Sequence, residues 1–334
     1  MTEVEHISRR LMIFAGILMY VFGSVGNILN ICVFTKWCRL TKKSKYSHCC
    51  RTSNSSLYLL SSSISNLIVI IYPLLTRILL DGYEYHIKES NALLICKLRY
   101  YILNTFDLTS LTCVCLATFD RYLISSREVR LRKLITTKKQ AKSIILLVIC
   151  LFGLHAIPII KYYGVSTEGI CIIESNIYLY YYLYTFQIFL HGIIPIIFLS
   201  VFGLLTLKQL KIISRRKNHY GMINSDKQLS RMLLLLSLAI ILSSIPYCIE
   251  QCYYVLFNGN NRNQKSYFFL YHVICSVLFY TNPVSSFYIY YISTRSFRRQ
   301  VHEILFPRRN LDYAVFYQIK PLATTTISLR ESMT

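Results

Sequence analysis

Two groups of residues in this chain have the types and the setting for chemistry. The first is Asp120-Arg121-Tyr122, a carboxylate, a guanidinium and a phenol in succession at the end of an apolar run. Charges at a membrane boundary are costly to desolvate unless paired, so the triplet reads as a working device rather than filler. The second group is dispersed. Asp107, Gln187, His191, Glu250 and Gln251 put ionisable and amide groups in apolar runs, where buried ionisable groups are binding candidates by default. By contrast, His155, His191 and His272 fall in different runs with no His-Glu-x-x-His spacing, and the cysteines show no zinc pattern. No metal, cofactor or catalytic set is expected, and the chain does not read as an enzyme.

Helices that cross a bilayer must position these groups. With 334 residues, 54% of them hydrophobic and 16% charged, the chain is too apolar for a soluble domain and too long for a single anchor. From Cys96 to Arg121 there are 25 steps, which make a helix of roughly 37 Å against a hydrocarbon core of about 30 Å. Further apolar runs predict spans at 11–35, 57–76, 143–160, 177–207, 232–248 and 266–294, with 96–121 third in order. The fold class is therefore all-α, a seven-transmembrane helix bundle. The first run is longer than a signal core and lacks a small-residue cleavage pattern, so it is expected to stay as a span. Asn27 and Asn66 lie at membrane depth, where an amide needs an interhelical partner. Pro73, Pro195 and Pro246 each remove a ladder hydrogen bond and mark bends.

The formal charge of +22 would suit nucleic acid only if the cations shared one folded surface; here they cluster between uncharged runs. The segments after spans one, three and five, the tail, and Arg121 carry 28 of the 37 Lys and Arg, and the other polar segments carry 9. The positive-inside bias then places the N-terminus outside and the tail in the cytosol, with only Arg9 and Arg10 leaning against it. Beyond span seven, Phe297, Val301, Ile304 and Leu305 fall on one face of a short amphipathic eighth helix, 295–306, lying on the inner leaflet and stopped by Pro307. The organisation is a short extracellular segment 1–10, a bundle 11–294, this helix, and a cytoplasmic tail 307–334 whose Thr324, Thr325, Thr326 and Ser328 could be phosphorylated.

Asp120-Arg121-Tyr122 closing a span opened by Cys96, with Gly26-Asn27 early and Asn282-Pro283 late, resembles the rhodopsin-like G-protein-coupled receptors over roughly residues 11–305. The resemblance implies that Arg121 is a switch, held at rest by Asp120 or Asp226 and freed to face a G protein when span six swings about Pro246. It implies a disulfide between Cys96 and Cys171, with Cys252 as the competing partner. It places a ligand pocket near the outer ends of spans three, five, six and seven, among Leu103, Asp107, Gln187, His191, Glu250, Gln251 and Tyr271. A polar network and hinges would involve Asn27, Asn66, Ser110, Pro195, Pro246, Asn282 and Pro283.

Several family landmarks are changed. Leu103 stands where aminergic members carry an acid, so a biogenic amine is not expected. Asn66 replaces the acid that would hold sodium with Ser110, and Ser244 replaces an aromatic two residues before Pro246. Gly203 and Ser286 replace tyrosines, with Tyr288 or Tyr290 available near the latter. The only tryptophan, Trp37, falls in the first inner loop, and span four lacks the family's own. The expectation is a divergent plasma-membrane receptor that senses an extracellular ligand and activates a heterotrimeric G protein. Asp107 and Glu250 among tyrosines suit a short neuropeptide with a cationic and an aromatic end, although Asp107 could equally bond neighbouring helices. The alternatives are a receptor that is silent or constitutively active, or a transporter or channel. An odd span count and the lack of an internal repeat stand against the last two.

Overall fold

In lipid a backbone amide has no water to bond, so an apolar run that crosses the bilayer must close its hydrogen bonds as a helix. The computed structural model, which describes residues 3–43, 54–83, 91, 93–126, 128–165, 171–215, 220–256 and 262–306, does this seven times. Spans one to seven are Glu3–Arg39, Ser55–Gly82, Leu94–Ser125, Lys138–Tyr162, Asn176–Gln209, Gln228–Glu250 and Tyr267–Ser293. Each contains or overlaps a predicted run. Span one differs most, because its helix begins at Glu3 and continues to Lys43. Glu3 and Glu5 in its first turn suit the positive end of the helix. Trp37 is therefore on a helix rather than in a loop, and its ring meets Phe34 at 5.6 Å and Phe297 at 6.1 Å. Those apolar contacts are what the sequence reading could not see.

Span three is central and contacts spans two, four, five and six. Span four shows its lipid side, with Leu146, Leu147, Leu151 and Leu154 all exposed. Span one packs on spans two and seven, and small residues make that approach possible. A Cβ at Gly16 would fall 2.5 Å from Ile78, one at Gly23 would fall 2.8 Å from both Ile70 and Val284, and one at Gly26 would fall 2.9 Å from the Phe287 Cβ. Close backbone approach of this kind replaces the hydrophobic driving force that lipid cannot supply.

Two of the prolines coincide with irregular turns. Pro73 sits inside a stretch of wider π-type turns, Ile70–Leu74, and a longer one, Tyr182–Ile193, ends just before Pro195. Proline offers no N–H to the carbonyl one turn back, and widened turns absorb the mismatch. Span six belongs to a longer helix, Tyr220–Leu256, that contains Pro246.

Between spans four and five a small antiparallel hairpin forms from β1, Tyr163–Val165, and β2, Cys171–Ile173, with Val165 opposite Cys171. A disulfide joins Cys171 to Cys96 with the Cα atoms 5.7 Å apart, tying the hairpin to the start of span three. Cys252 has its side chain outside the described residues. After span seven the helix Arg295–Leu305 buries Phe297 and Val301. Phe297 packs on Phe34 at 5.8 Å and Tyr290 at 5.7 Å, and Lys36 donates to Glu303 at 2.8 Å. The predicted eighth helix is thus fixed to span one by one apolar face and one ion pair. The tail 307–334 lies outside the described residues.

Candidate functional site

Asp120 and Arg121 are neighbours on span three. The carboxylate has a definite client on another helix, because Asp120 Oδ2 accepts from the backbone N–H of Ser55 at 2.9 Å and from its hydroxyl at 2.7 Å. Ser55 opens span two, so the carboxylate satisfies an orphan amide and opposes the positive end of that helix. That oxygen is thereby committed to span two. Arg121, the following residue, is buried. Tyr122 turns toward span five, where its ring lies 5.4 Å from Phe202, itself 5.0 Å from Phe119. Gly203, where a tyrosine was expected, lets span six close in: a Cβ there would sit 3.1 Å from Leu234. Asp226 lies on the helix of span six, but its side chain, like that of Gln251, is outside the described residues.

Halfway along the bundle the polar groups are neutral. Asn27 donates at 2.9 Å to the Gly23 carbonyl and at 2.9 Å to the Pro283 carbonyl, joining spans one and seven. Asn30 donates to Ser286 at 3.2 Å, so the serine that replaces a tyrosine has its own interhelical bond. Asn66 accepts from Ser110 at 2.5 Å, and Ser110 also meets Ser62 at 2.8 Å. Tyr290 is buried against Phe34, while the Tyr288 phenol donates to the Phe22 carbonyl at 3.2 Å. Asn282 is half-buried beside this network, and its carbonyl accepts from Ser285 at 3.4 Å.

At the Cys96 end the ionisable groups pair through histidines. His191 has the Phe186 carbonyl 2.9 Å from Nδ1 and Asp107 Oδ2 2.7 Å from Nε2. A carbonyl only accepts, so Nδ1 carries a proton. The short Nε2 to Oδ2 contact then needs a second proton, on the imidazolium or on the carboxyl group. Either way the pair is neutral overall and spans three and five are joined. His272 is different. Its Nδ1 lies 2.8 Å from Glu250 Oε1, and its Nε2 faces the Arg77 guanidinium, which can only donate. His272 is therefore neutral, accepting from Arg77 and donating to Glu250. Arg77 also donates to Ser276 at 2.7 Å and pairs with Asp81 one turn along. A relay of four side chains links spans two, seven and six.

The remaining pocket candidates separate. Gln187 donates to the Tyr182 phenol at 3.0 Å, which Asn104 also reaches at 3.1 Å, tying spans three and five a second time. Leu103 packs half-buried in an apolar cluster with Met12 and Tyr280. Tyr271 is exposed beside Cys275. The acids correct one expectation. Asp107 and Glu250 are both buried, at 3% and 1% exposure, and each is already met by a histidine. Neither is open to a cationic ligand end in this arrangement.

The family model described as 7 transmembrane receptor (rhodopsin family) matches residues 26–290. This chain belongs to that family. No curated protein gives a significant match to it. Membership makes the chain a signalling receptor of the multi-pass plasma-membrane type, with an outside ligand and a G protein as the general partners of such proteins.

In this receptor the sequence pointed to Asn27, Asn66, Ser110 and the two cysteines that the structure joins to other helices or to one another, and not to the buried Arg77, Arg99, Asn30 and Ser55. Arg77 and Asp81 did carry a signal, a cation and an acid four apart at the end of one span. Arg99, three residues past Cys96, was counted only as one of the few cations on its side of the membrane. Ser55 carried none, because its value comes from a carboxylate 65 residues away.

Proposed function

We propose that the receptor binds a short peptide at its Cys96 end, outside the cell, and activates a heterotrimeric G protein at its Arg121 end, in the cytosol. The observation that carries this reading is the setting of Arg121. It is a buried guanidinium at one end of the central span, following in sequence a carboxylate already bound to Ser55 and preceding Tyr122, whose ring packs on Phe202 of span five. A cation held among helix ends rather than in lipid is placed to change partners when one helix moves. Asp226, on the helix of span six, is its resting partner in this proposal, and Pro246 is the hinge. The distribution of Lys and Arg supports the orientation. A hairpin pinned by a disulfide over a tyrosine-rich end supports a ligand with aromatic groups: Tyr100 meets Tyr163 at 4.5 Å and Tyr247 meets Phe279 at 4.7 Å.

The test is agonist-stimulated nucleotide exchange on purified G protein, with the receptor in lipid nanodiscs. Arg121→Ala abolishes exchange while surface amount stays near that of the parent, and Asp226→Ala raises basal exchange. Full exchange by the Arg121 variant refutes the switch.

A further inference from the structure

Among the charged groups at the Cys96 end, Arg99 stands apart. It opens the regular part of span three, Arg99–Ser125, and is only 2% exposed. Its Nε and Nη2 both lack a hydrogen-bond acceptor. The guanidinium carbon lies 5.0 Å from the Tyr100 ring, and the Tyr72 and Tyr280 phenols are within its electrostatic reach. Aromatic faces attract a guanidinium but do not use up its N–H groups. Two orphan donors on a buried cation are expensive to maintain unless something fills them in the working state.

Among the described residues, the buried acids at this end do not serve. Asp107 is bound to His191, Glu250 to His272, and Asp81 to Arg77. Arg77, also buried at this end, donates from Nη2 to His272 and Ser276 and sets its Nε against Asp81. Among the described residues at this end, the buried acids are thus paired, and Arg99 keeps two adjacent donors without an acceptor. Nε–H and one Nη2–H lie side by side in the guanidinium plane, and this edge matches the two oxygens of a carboxylate.

We propose that Arg99 anchors a carboxylate of the ligand, seated beneath the hairpin and flanked by Tyr72, Tyr100 and Tyr280. This reverses the polarity the sequence suggested: the ligand presents an anion, not a cation, to span three. Assigning the carboxylate to the C-terminus of a peptide rests on the reading of the receptor given above, whereas the Arg99 site itself does not.

The experiment uses the full chain in nanodiscs and follows its unfolding temperature, a readout that needs no G protein. The probes are a pool of N-acetylated aromatic tetrapeptides with free C-terminal carboxylates, the same pool amidated, dodecanoate, and dodecylamine. The carboxylate pool raises the midpoint by about 5 °C when its binders are near 100 times their Kd, and the amidated pool does not. Arg99→Gln weakens carboxylate binding about 10- to 100-fold, while Arg99→Lys keeps part of it. Stabilisation by dodecanoate but not by either peptide pool supports the carboxylate site and removes the peptide. Equal stabilisation by the amidated and free pools, or by dodecylamine and dodecanoate, overturns the proposal in the parent protein alone, so a variant that fails to fold does not shield it. No stabilisation by any carboxylate probe overturns it as well. Loss of nucleotide exchange with carboxylate binding intact would sink the coupling reading and leave Arg99 in place.

Discussion

The two ends of the bundle solve the cost of buried polarity in opposite ways. At the Cys96 end, ionisable groups on five spans are locked in pairs and relays, Asp107 with His191 and Arg77 with Asp81, His272 and Glu250. From the middle of the bundle toward the Arg121 end, the cross-helix bonds run between amides, hydroxyls and carbonyls, Asn27, Asn30 and Ser286, Asn66 and Ser110, until Asp120 caps span two. Removing one partner of a buried charged pair strands the other in low dielectric. Neutral interhelical bonds in a membrane average about 0.6 kcal/mol and are exchanged cheaply. The difference suits a molecule that holds its shape at one end and rearranges at the other.

Breaking the charged end should give the largest effect. Asp107→Ala leaves the buried His191 Nε2 without its partner and should destabilise the receptor by about 3 kcal/mol, read as a fall in unfolding temperature in nanodiscs. Replacing both residues with apolar ones of similar size should recover most of that loss. A double variant as unstable as the single one would show that the pair is not the source. Asn27→Ala samples the neutral end. It removes the bond to the Pro283 carbonyl and should cost only about 1 kcal/mol, and a loss as large as that of Asp107→Ala would erase the contrast between the ends.

The smallest effect belongs to an exposed pair between the end of span one and the helix Arg295–Leu305. The Lys36 ammonium, hydrogen-bonded to Glu303, holds that carboxyl below the ordinary glutamate value of about 4.3. A lowered value in the folded state means that the tie contributes above the ordinary value and is lost as pH falls through the lowered one. Lys36→Met should therefore lower the unfolding temperature by about 1 °C or less at neutral pH, and parent and variant should converge on acidification. A difference that grows at low pH would show another origin.

Much of the architecture was readable because it depends on local quantities. Apolar runs of bilayer length gave all seven spans, and the face holding Phe297 and Val301 gave the last helix. Where the reading slipped, a contact between distant segments was responsible. Trp37 lies on the continuous helix Glu3–Lys43, and its ring meets Phe297 of the last helix.

By itself, then, the sequence determined how many times the chain crosses the membrane and which polar groups are carried into it. Hydropathy and length are properties of a segment, and the bilayer reads them segment by segment. Only the tertiary structure decided who meets whom: His191 finds Asp107 across 84 residues, and His272 finds Arg77 across 195. Each residue turns a helix by about 100°, so the partner of a buried group depends on how neighbouring helices are rotated and packed. That rotation turned two open acids into satisfied ones and, among the described residues, left Arg99 with two donors lacking an acceptor.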